Sequence, residues 1–216
     1  SEVFINGVSL GVRPYGYISF SYNLTPYLKW DEPNVLAVRV DNAEQPNSRW
    51  YSGCGIYRNV WLSKTAPIHV DGWGTYVTTS SVDEKQAVLD LVTTLVNESD
   101  TNENVTVCSS LQDVEGREVA ETRSTGKTEA GKEVVFAQQL TVKQPQLWDI
   151  DTPYLYTLLT KVMRNEECVD RYTTPVGIRT FSFDTRKGFI LNGRQTKING
   201  VCMHHDLGCL GAAVNT

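Results

Sequence analysis

Short apolar runs broken by polar turn residues set the pattern of this chain, and period-two alternation dominates over helical spacing. Before residue 65 the alternation predicts strands over 18–24, 35–40 and 59–62, connected by Asn6-Gly7, Arg13-Pro14-Tyr15-Gly16 and Asp31-Glu32-Pro33-Asn34. A boundary falls near Thr65-Ala66-Pro67. Beyond it a second series of strands is predicted over 68–79, 87–96, 104–112, 133–142, 154–163, 169–172 and 176–183, separated by turns rich in Asp, Asn, Glu, Lys and Gly. Val134, Phe136, Leu140 and Val142 fall on one face of their strand, and Tyr156, Leu158 and Val162 on one face of theirs. The stretch 145–153 has no periodicity and reads as a long crossing between sheets, with Trp148 as an anchor in the core. No long amphipathic helix is predicted between Ser1 and Thr196. The fold class is therefore all-β, and about seven strands over roughly 115 residues is the size of an immunoglobulin-like sandwich, without the Cys…Trp…Cys pattern of antibody domains. The part before residue 65 is too short for a complete sandwich and reads as the rear half of one, with apolar faces and open edges. It is expected to be poorly ordered or to complete itself by pairing with another chain.

Composition narrows the function classes. Hydrophobic residues make up 40% of the 216 and charged residues 21%, enough for a packed core. The net charge of -5, with no Lys/Arg cluster longer than two residues, argues against nucleic acid as a partner. No apolar run reaches the roughly 18 residues of a membrane span. No signal-peptide pattern is present, but a chain that begins Ser-Glu leaves the compartment open, cytoplasmic or periplasmic. The cysteines, Cys54, Cys108, Cys168, Cys202 and Cys209, are odd in number and lack C-x-x-C spacing, so buried free thiols are expected in preference to a Cys108–Cys168 disulfide.

Four ordered blocks carry a resemblance. The run 48–62, with Trp50-Tyr51-Ser52-Gly53-Cys54-Gly55-Ile56-Tyr57-Arg58, resembles the segment closing the N-terminal jelly-roll domain of glycoside hydrolase family 2, and Phe4-Ile5-Asn6-Gly7 fits the same domain. Leu147-Trp148 with Asp151-Thr152-Pro153-Tyr154-Leu155-Tyr156 resembles the late part of that family's immunoglobulin-like domain. Val176-Gly177-Ile178-Arg179-Thr180-Phe181, then 188–192, then Gly200-Val201, resembles the approach to its catalytic (β/α)8 barrel. The resemblance covers essentially the whole chain and is nearest the β-galactosidase branch, with β-glucuronidases and β-mannosidases sharing the domain order. It implies three parts: a partial jelly roll over 1–65, an immunoglobulin-like sandwich over 66–183, and the lead-in and first strand of a truncated barrel over 184–216.

The same resemblance implies a retaining exo-β-glycosidase as parent, most nearly a β-galactosidase acting on terminal β-D-galactosyl residues, with two carboxyl groups about 5–5.5 Å apart. Both catalytic glutamates are expected in later barrel strands, outside this chain, so the chain alone is expected to be inactive. Asn97-Glu98, Asn102-Glu103 and Asn165-Glu166 read as solvated turns. The substrate-binding candidates are His204 and Asp206, just beyond a first barrel strand over 198–203, where a barrel keeps its active site. His204 keeps the family histidine, whereas Cys202, Met203 and His205 depart from the usual Asn, basic residue and Glu. In this chain the cluster reads as an unpacked tail, and in the parent as one wall of a sugar pocket. Arg49 stands where several relatives carry an Asp that reaches the active site; it either contacts a sugar hydroxyl or forms an ion pair near Trp50. Zinc is disfavoured, because His204 and His205 are adjacent on a strand and point to opposite faces. No cofactor is expected in the chain, and magnesium or sodium only in the parent. The five tryptophans read as core or interface packing in preference to a sugar-stacking platform. A stand-alone carbohydrate-binding or adhesion module is the competing reading; the run 188–206, which a lectin does not need, speaks against it.

Overall fold

A computed structural model describes residues 1–44 and 55–202. Ser63–Asn199 forms one compact unit, and the described residues on either side of it belong to another.

The smaller unit holds an antiparallel sheet of β1 (Glu2–Ile5), β2 (Val8–Val12) and β3 (Leu36–Arg39) in the order β2-β1-β3. Val3 and Ile5 are buried, whereas Leu36 and Val38, paired directly opposite them on β3, are exposed. Asn6 closes the β1–β2 turn at φ 51° and ties it down: its Nδ2 donates to the Tyr27 carbonyl (2.9 Å) and to Asn34 Oδ1 (2.8 Å). Two predicted strands do not form. Over 18–24 the alternation of Ile18, Phe20, Tyr22 and Leu24 is genuine, but that segment pairs with no neighbour. Phe20 and Tyr22 instead lie under the Arg13 guanidinium, 5.6 and 5.5 Å from its carbon. Residues 59–62 likewise form no ladder with any described strand, and Trp61 and Leu62 are exposed. An extended segment becomes a strand only when a partner accepts its ladder hydrogen bonds.

The larger unit begins with seven strands in two sheets. β4 (Ile68–Val82), β5 (Gln86–Asn97) and β8 (Glu133–Lys143) form one, in the order β4-β5-β8. β6 (Glu103–Gln112), β7 (Glu118–Thr128), β9 (Tyr156–Arg164) and β10 (Glu167–Val176) form the other, in the order β10-β9-β6-β7. Alternation explains the packing: on β5, residues 87, 89, 91, 93, 95 and 97 all point inward. β7 has no counterpart among the predicted strands. Its sequence, EVAETRSTGKT, holds only Val and Ala as apolar residues, and its pairing with β6 makes it a strand. The last predicted strand, 176–183, is split: Val176 ends β10, and β11 (Phe181–Asp184) starts a separate hairpin sheet with β12 (Gly188–Leu191) and β13 (Arg194–Gln195).

The sandwich core is two apolar clusters, one around Leu89, Leu91, Leu111, Leu140 and Leu158, the other around Leu95, Val105, Val107, Phe136 and Val162. A polar band separates them. On β5 Thr93 stands between Leu91 and Leu95; on β6 Ser109, on β8 Gln138 and on β9 Thr160 hold the equivalent places. Gln138 is fully engaged: Oε1 accepts from Ser109 Oγ (2.6 Å), and Nε2 donates to the Val107 carbonyl and Ser124 Oγ, both at 2.9 Å. The Thr75, Thr93, Thr160 and Thr174 hydroxyls are buried and find no hydrogen-bond partner among the described residues. Cys108 and Cys168 are free thiols, both partly buried.

Candidate functional site

Arg49, His204 and Asp206 all lie outside the described residues, as do His205, Met203 and Trp50. Of the predicted first barrel strand, Ile198, Asn199, Gly200, Val201 and Cys202 form no strand; Ile198 and Val201 are exposed. The structure does show how the chain is delivered to that point.

The crossing over 145–153 joins β8 of one sheet to β9 of the other, as its lack of periodicity predicts. It is held by backbone and side-chain bonds: the Gln146 N–H donates to Tyr156 Oη (2.9 Å) and the Trp148 N–H to the Ile178 carbonyl (2.8 Å). Burial pushes the Tyr156 phenol above its ordinary pKa, so it stays neutral and serves as an acceptor here. Trp148 is not in the deep core. It is half-buried at the junction between the sandwich and the β11–β13 hairpin, with the Arg179 guanidinium carbon 5.1 Å from its ring centre. Gly177 packs closely beneath it, since a Cβ there would lie 3.1 Å from the Trp148 Cβ, Cγ and Cδ1.

From the other side the hairpin reaches back to the same spot. Asn192, at φ 48°, starts the Asn-Gly turn between β12 and β13. Its Nδ2 donates to the Trp148 carbonyl (3.0 Å), its Oδ1 accepts from the Thr180 N–H (3.0 Å), and its own N–H donates to the Thr180 carbonyl (2.9 Å). Arg194 then pairs with Asp149 at 2.9 Å and Asp151 at 3.5 Å. Sequence reading placed Trp148, Asp151 and Asn192 in motif blocks but missed that they meet, and missed Arg194 and Asp149 as partners. An Asn-Gly turn followed by a basic residue carries no local mark of a partner 45 positions upstream.

The hairpin leaves an apolar side open. Phe181, Phe183 and Phe189 lie within 6.5 Å of one another, ring centre to ring centre, and a shallow trough of about 530 Å³ runs past Phe183, Phe189, Lys197 and Ile198. Among the described residues no carboxylate lines it. The glutamates of the Asn-Glu pairs lie elsewhere, and Glu103 accepts from the Thr101 hydroxyl at 3.1 Å. Glu98 and Glu166 are exposed, and the Asn165-Glu166 turn sits at positive φ. Asn97 corrects the solvated-turn reading, because it is fully buried. Its Nδ2 donates to the Thr101 carbonyl (2.9 Å) and Thr128 Oγ1 (3.2 Å), and its Oδ1 accepts from the Ser99 N–H (3.0 Å) and hydroxyl (2.6 Å). Among the described residues no group of three His, Cys, Asp or Glu side chains is gathered that could hold a metal. Among the described residues no helix is long and apolar enough to cross a membrane.

Comparison with known proteins places these features. The family model described as "Glycosyl hydrolases family 2" matches residues 68–179, from the first strand of the sandwich to the residues under Trp148. A β-galactosidase of Bacteroides ovatus is 93% identical over 216 residues, covering all of this chain and 25% of that protein. A putative β-glucuronidase of Formosa agariphila is 38% identical over 213 residues, 99% of this chain and 20% of that protein. The crystal structure of a glycosyl hydrolase family 2 member from Bacteroides cellulosilyticus superposes with a TM-score of 0.93 at 34% identity, over 98% of this chain and 29% of that one. The chain thus spans about a quarter of the length of the curated relatives it matches. With its seven-stranded sandwich, its crossing and its hairpin all matched in order, the chain belongs to glycosyl hydrolases family 2.

Proposed function

We propose that the chain is the β-sandwich portion of a retaining exo-β-glycosidase acting on terminal β-D-galactosyl residues. The single observation that carries this is the 93% identity, over all 216 residues, to a protein described as a β-galactosidase. Relatives described as β-glucuronidases stand much lower, at 38% and 33%, and support only the broader family. In this reading the two carboxyl groups of the reaction, one a nucleophile and one an acid/base, are supplied by polypeptide beyond these residues. The sandwich acts through geometry. The Trp148–Asn192–Arg194 junction fixes the hairpin, and the hairpin sets the direction in which 196–202 leaves the unit. His204 and Asp206 then line the sugar pocket, Asp206 accepting hydrogen bonds from sugar hydroxyls, while Arg49 contributes either a sugar contact or an ion pair. Magnesium or sodium, where the longer protein uses one, draws its ligands from elsewhere. The exposed Leu36–Val38 face of the small sheet supports completion by further polypeptide, from the same chain or a second copy; light scattering on the longer protein separates the two.

Expression of the longer reading frame, assayed against aryl β-galactoside, β-glucuronide and β-mannoside, tests the reading. Hydrolysis of the galactoside by the longer protein and none by the 216-residue chain is the expected result. A preference for the glucuronide, or turnover by the chain alone, overturns it. Asp206→Asn in the longer protein is expected to raise KM for the galactoside, and an unchanged KM removes Asp206 from the pocket.

A further inference from the structure

The tetrapeptide Ile-Asn-Gly-Val occurs twice, at 5–8 and at 198–201, and Leu191-Asn192-Gly193-Arg194 supplies a third Asn-Gly bond. Asparagine before glycine is a reactive setting, because the glycine nitrogen has no bulky neighbour and can close on the asparagine side chain. Space around the three glycines does not separate them: a Cβ added at Gly7, Gly193 or Gly200 would meet nothing within 4 Å. The carboxamides do separate them.

Two of the three are held at both ends. Asn6 Nδ2 donates to the Tyr27 carbonyl (2.9 Å) and to Asn34 Oδ1 (2.8 Å), while its Oδ1 accepts from the Val35 N–H (3.0 Å). Asn192 Nδ2 donates to the Trp148 carbonyl and its Oδ1 accepts from the Thr180 N–H, both at 3.0 Å. Asn6 and Asn192 also sit at φ 51° and 48°, followed by Gly7 and Gly193 at φ 84° and 76°, so a hairpin turn fixes each backbone. Asn199 has neither restraint. It is exposed, lies in no strand, and its carboxamide has no hydrogen-bond partner among the described residues.

We propose that Asn199 is a self-modification site of the 216-residue chain, converting to aspartate and isoaspartate with water as the only co-reactant, while Asn6 and Asn192 keep their amides. The Gly200 nitrogen gives up its proton and bonds to Asn199 Cγ. The Cγ–Nδ2 bond breaks, and the amide nitrogen leaves as ammonia with that proton. Water then opens the cyclic imide at either carbonyl. Opening at one restores the original main chain with a carboxylate at 199. Opening at the other routes the main chain through Cβ and Cγ, longer by one methylene. No electrons are exchanged, so no oxidant or reductant is needed. Either product adds a negative charge to the segment that leads to His204 and Asp206. At the held sites two or three side-chain hydrogen bonds must break before the ring can close, which slows them at least about tenfold.

Incubation of the chain at mildly alkaline pH, followed over time by peptide mapping with mass spectrometry, tests this, and the same time course in urea removes the fold. In urea the two Ile-Asn-Gly-Val sites should convert at equal rates, because their neighbours are the same. In the native chain Asn199 should keep its urea rate within about threefold, whereas Asn6 and Asn192 should each slow at least about tenfold. Gly200→Ala should slow conversion at 199 and leave Asn6 and Asn192 unchanged. Three results overturn the proposal. The first is an Asn199 rate that falls as far on folding as those of the held sites. The second is Asn6 or Asn192 converting as fast as Asn199 in the native chain. The third is undiminished conversion at 199 in Gly200→Ala. None of these measurements involves catalysis, so failure here leaves the glycosidase reading standing.

Discussion

Replacing Thr93 by valine is expected to stabilise the sandwich. Thr93 is 1% exposed on the inner face of β5, and its hydroxyl has no hydrogen-bond partner among the described residues. Folding therefore strips that hydroxyl of water and returns nothing, at a cost of about 1–3 kcal/mol for an unsatisfied buried polar group. Valine is near-isosteric and equally β-branched, so it opens no cavity and keeps the χ1 restriction of a strand residue. The expected gain is about 1–2 kcal/mol, and each kcal/mol is worth roughly 2–4 °C in Tm for a chain of this size. Urea unfolding should show a higher midpoint with an unchanged slope, because the surface exposed on unfolding barely changes. Gln138→Leu provides the opposite sign within the same polar band. It removes the amide that satisfies Ser109, Ser124 and the Val107 carbonyl, and should cost about 2–4 kcal/mol. Thr75 pairs directly with Thr93 and is also unpartnered. Thr75→Val alone should therefore show a gain of similar size, and the double variant, whose two sites are in contact, reads their coupling. A loss of stability in Thr93→Val refutes the reasoning.

Three further outcomes follow from particular contacts. Asn97→Ala removes a buried amide with four hydrogen bonds to Thr101, Thr128 and Ser99, and is expected to cost about 1–3 kcal/mol in urea unfolding; a change near zero would return Asn97 to a solvated turn. Gly177→Ala drives a methyl to 3.1 Å from the Trp148 side chain. It should destabilise by about 1–3 kcal/mol and shift the tryptophan fluorescence; a silent variant would deny the tight junction. Asp184 Oδ1 accepts the Lys187 and Arg186 backbone N–H groups, which holds its pKa below the ordinary 3.8. A depressed carboxylate contributes stability above its unfolded pKa and loses it as pH falls through the folded one. The Arg186 and Lys187 amide NMR shifts should therefore titrate with an acidic midpoint below 3.8, and trypsin cleavage there at neutral pH should be faster in Asp184→Ala than in the native chain; a midpoint at or above 3.8, or equal cleavage rates, would refute the link.

Much of the sandwich was legible because a strand with one buried face writes its pleat into the sequence: β5, β6, β8 and β9 form within two residues of where alternation placed them. The gaps in that alternation were equally informative, though only in hindsight. The inward faces read as Val134, Phe136, Leu140, Val142 and as Tyr156, Leu158, Val162 skip positions 138 and 160, the two places where the polar band crosses β8 and β9. β7 was hidden because both its faces are mostly polar, and 18–24 was over-read because alternation reports a possible face and never the presence of a partner.

The candidate site divides along the same line. The amino-acid order alone carried the all-β class, the crossing at 145–153, the family blocks and the residue types at 49, 204 and 206, since each is a local pattern of side chains. Only the tertiary structure decided that Trp148, Asp149, Asn192 and Arg194 form one junction and that Asn97 is buried. Those are pairings between distant segments. Their free energy depends on which surfaces meet, and local periodicity holds no term for that.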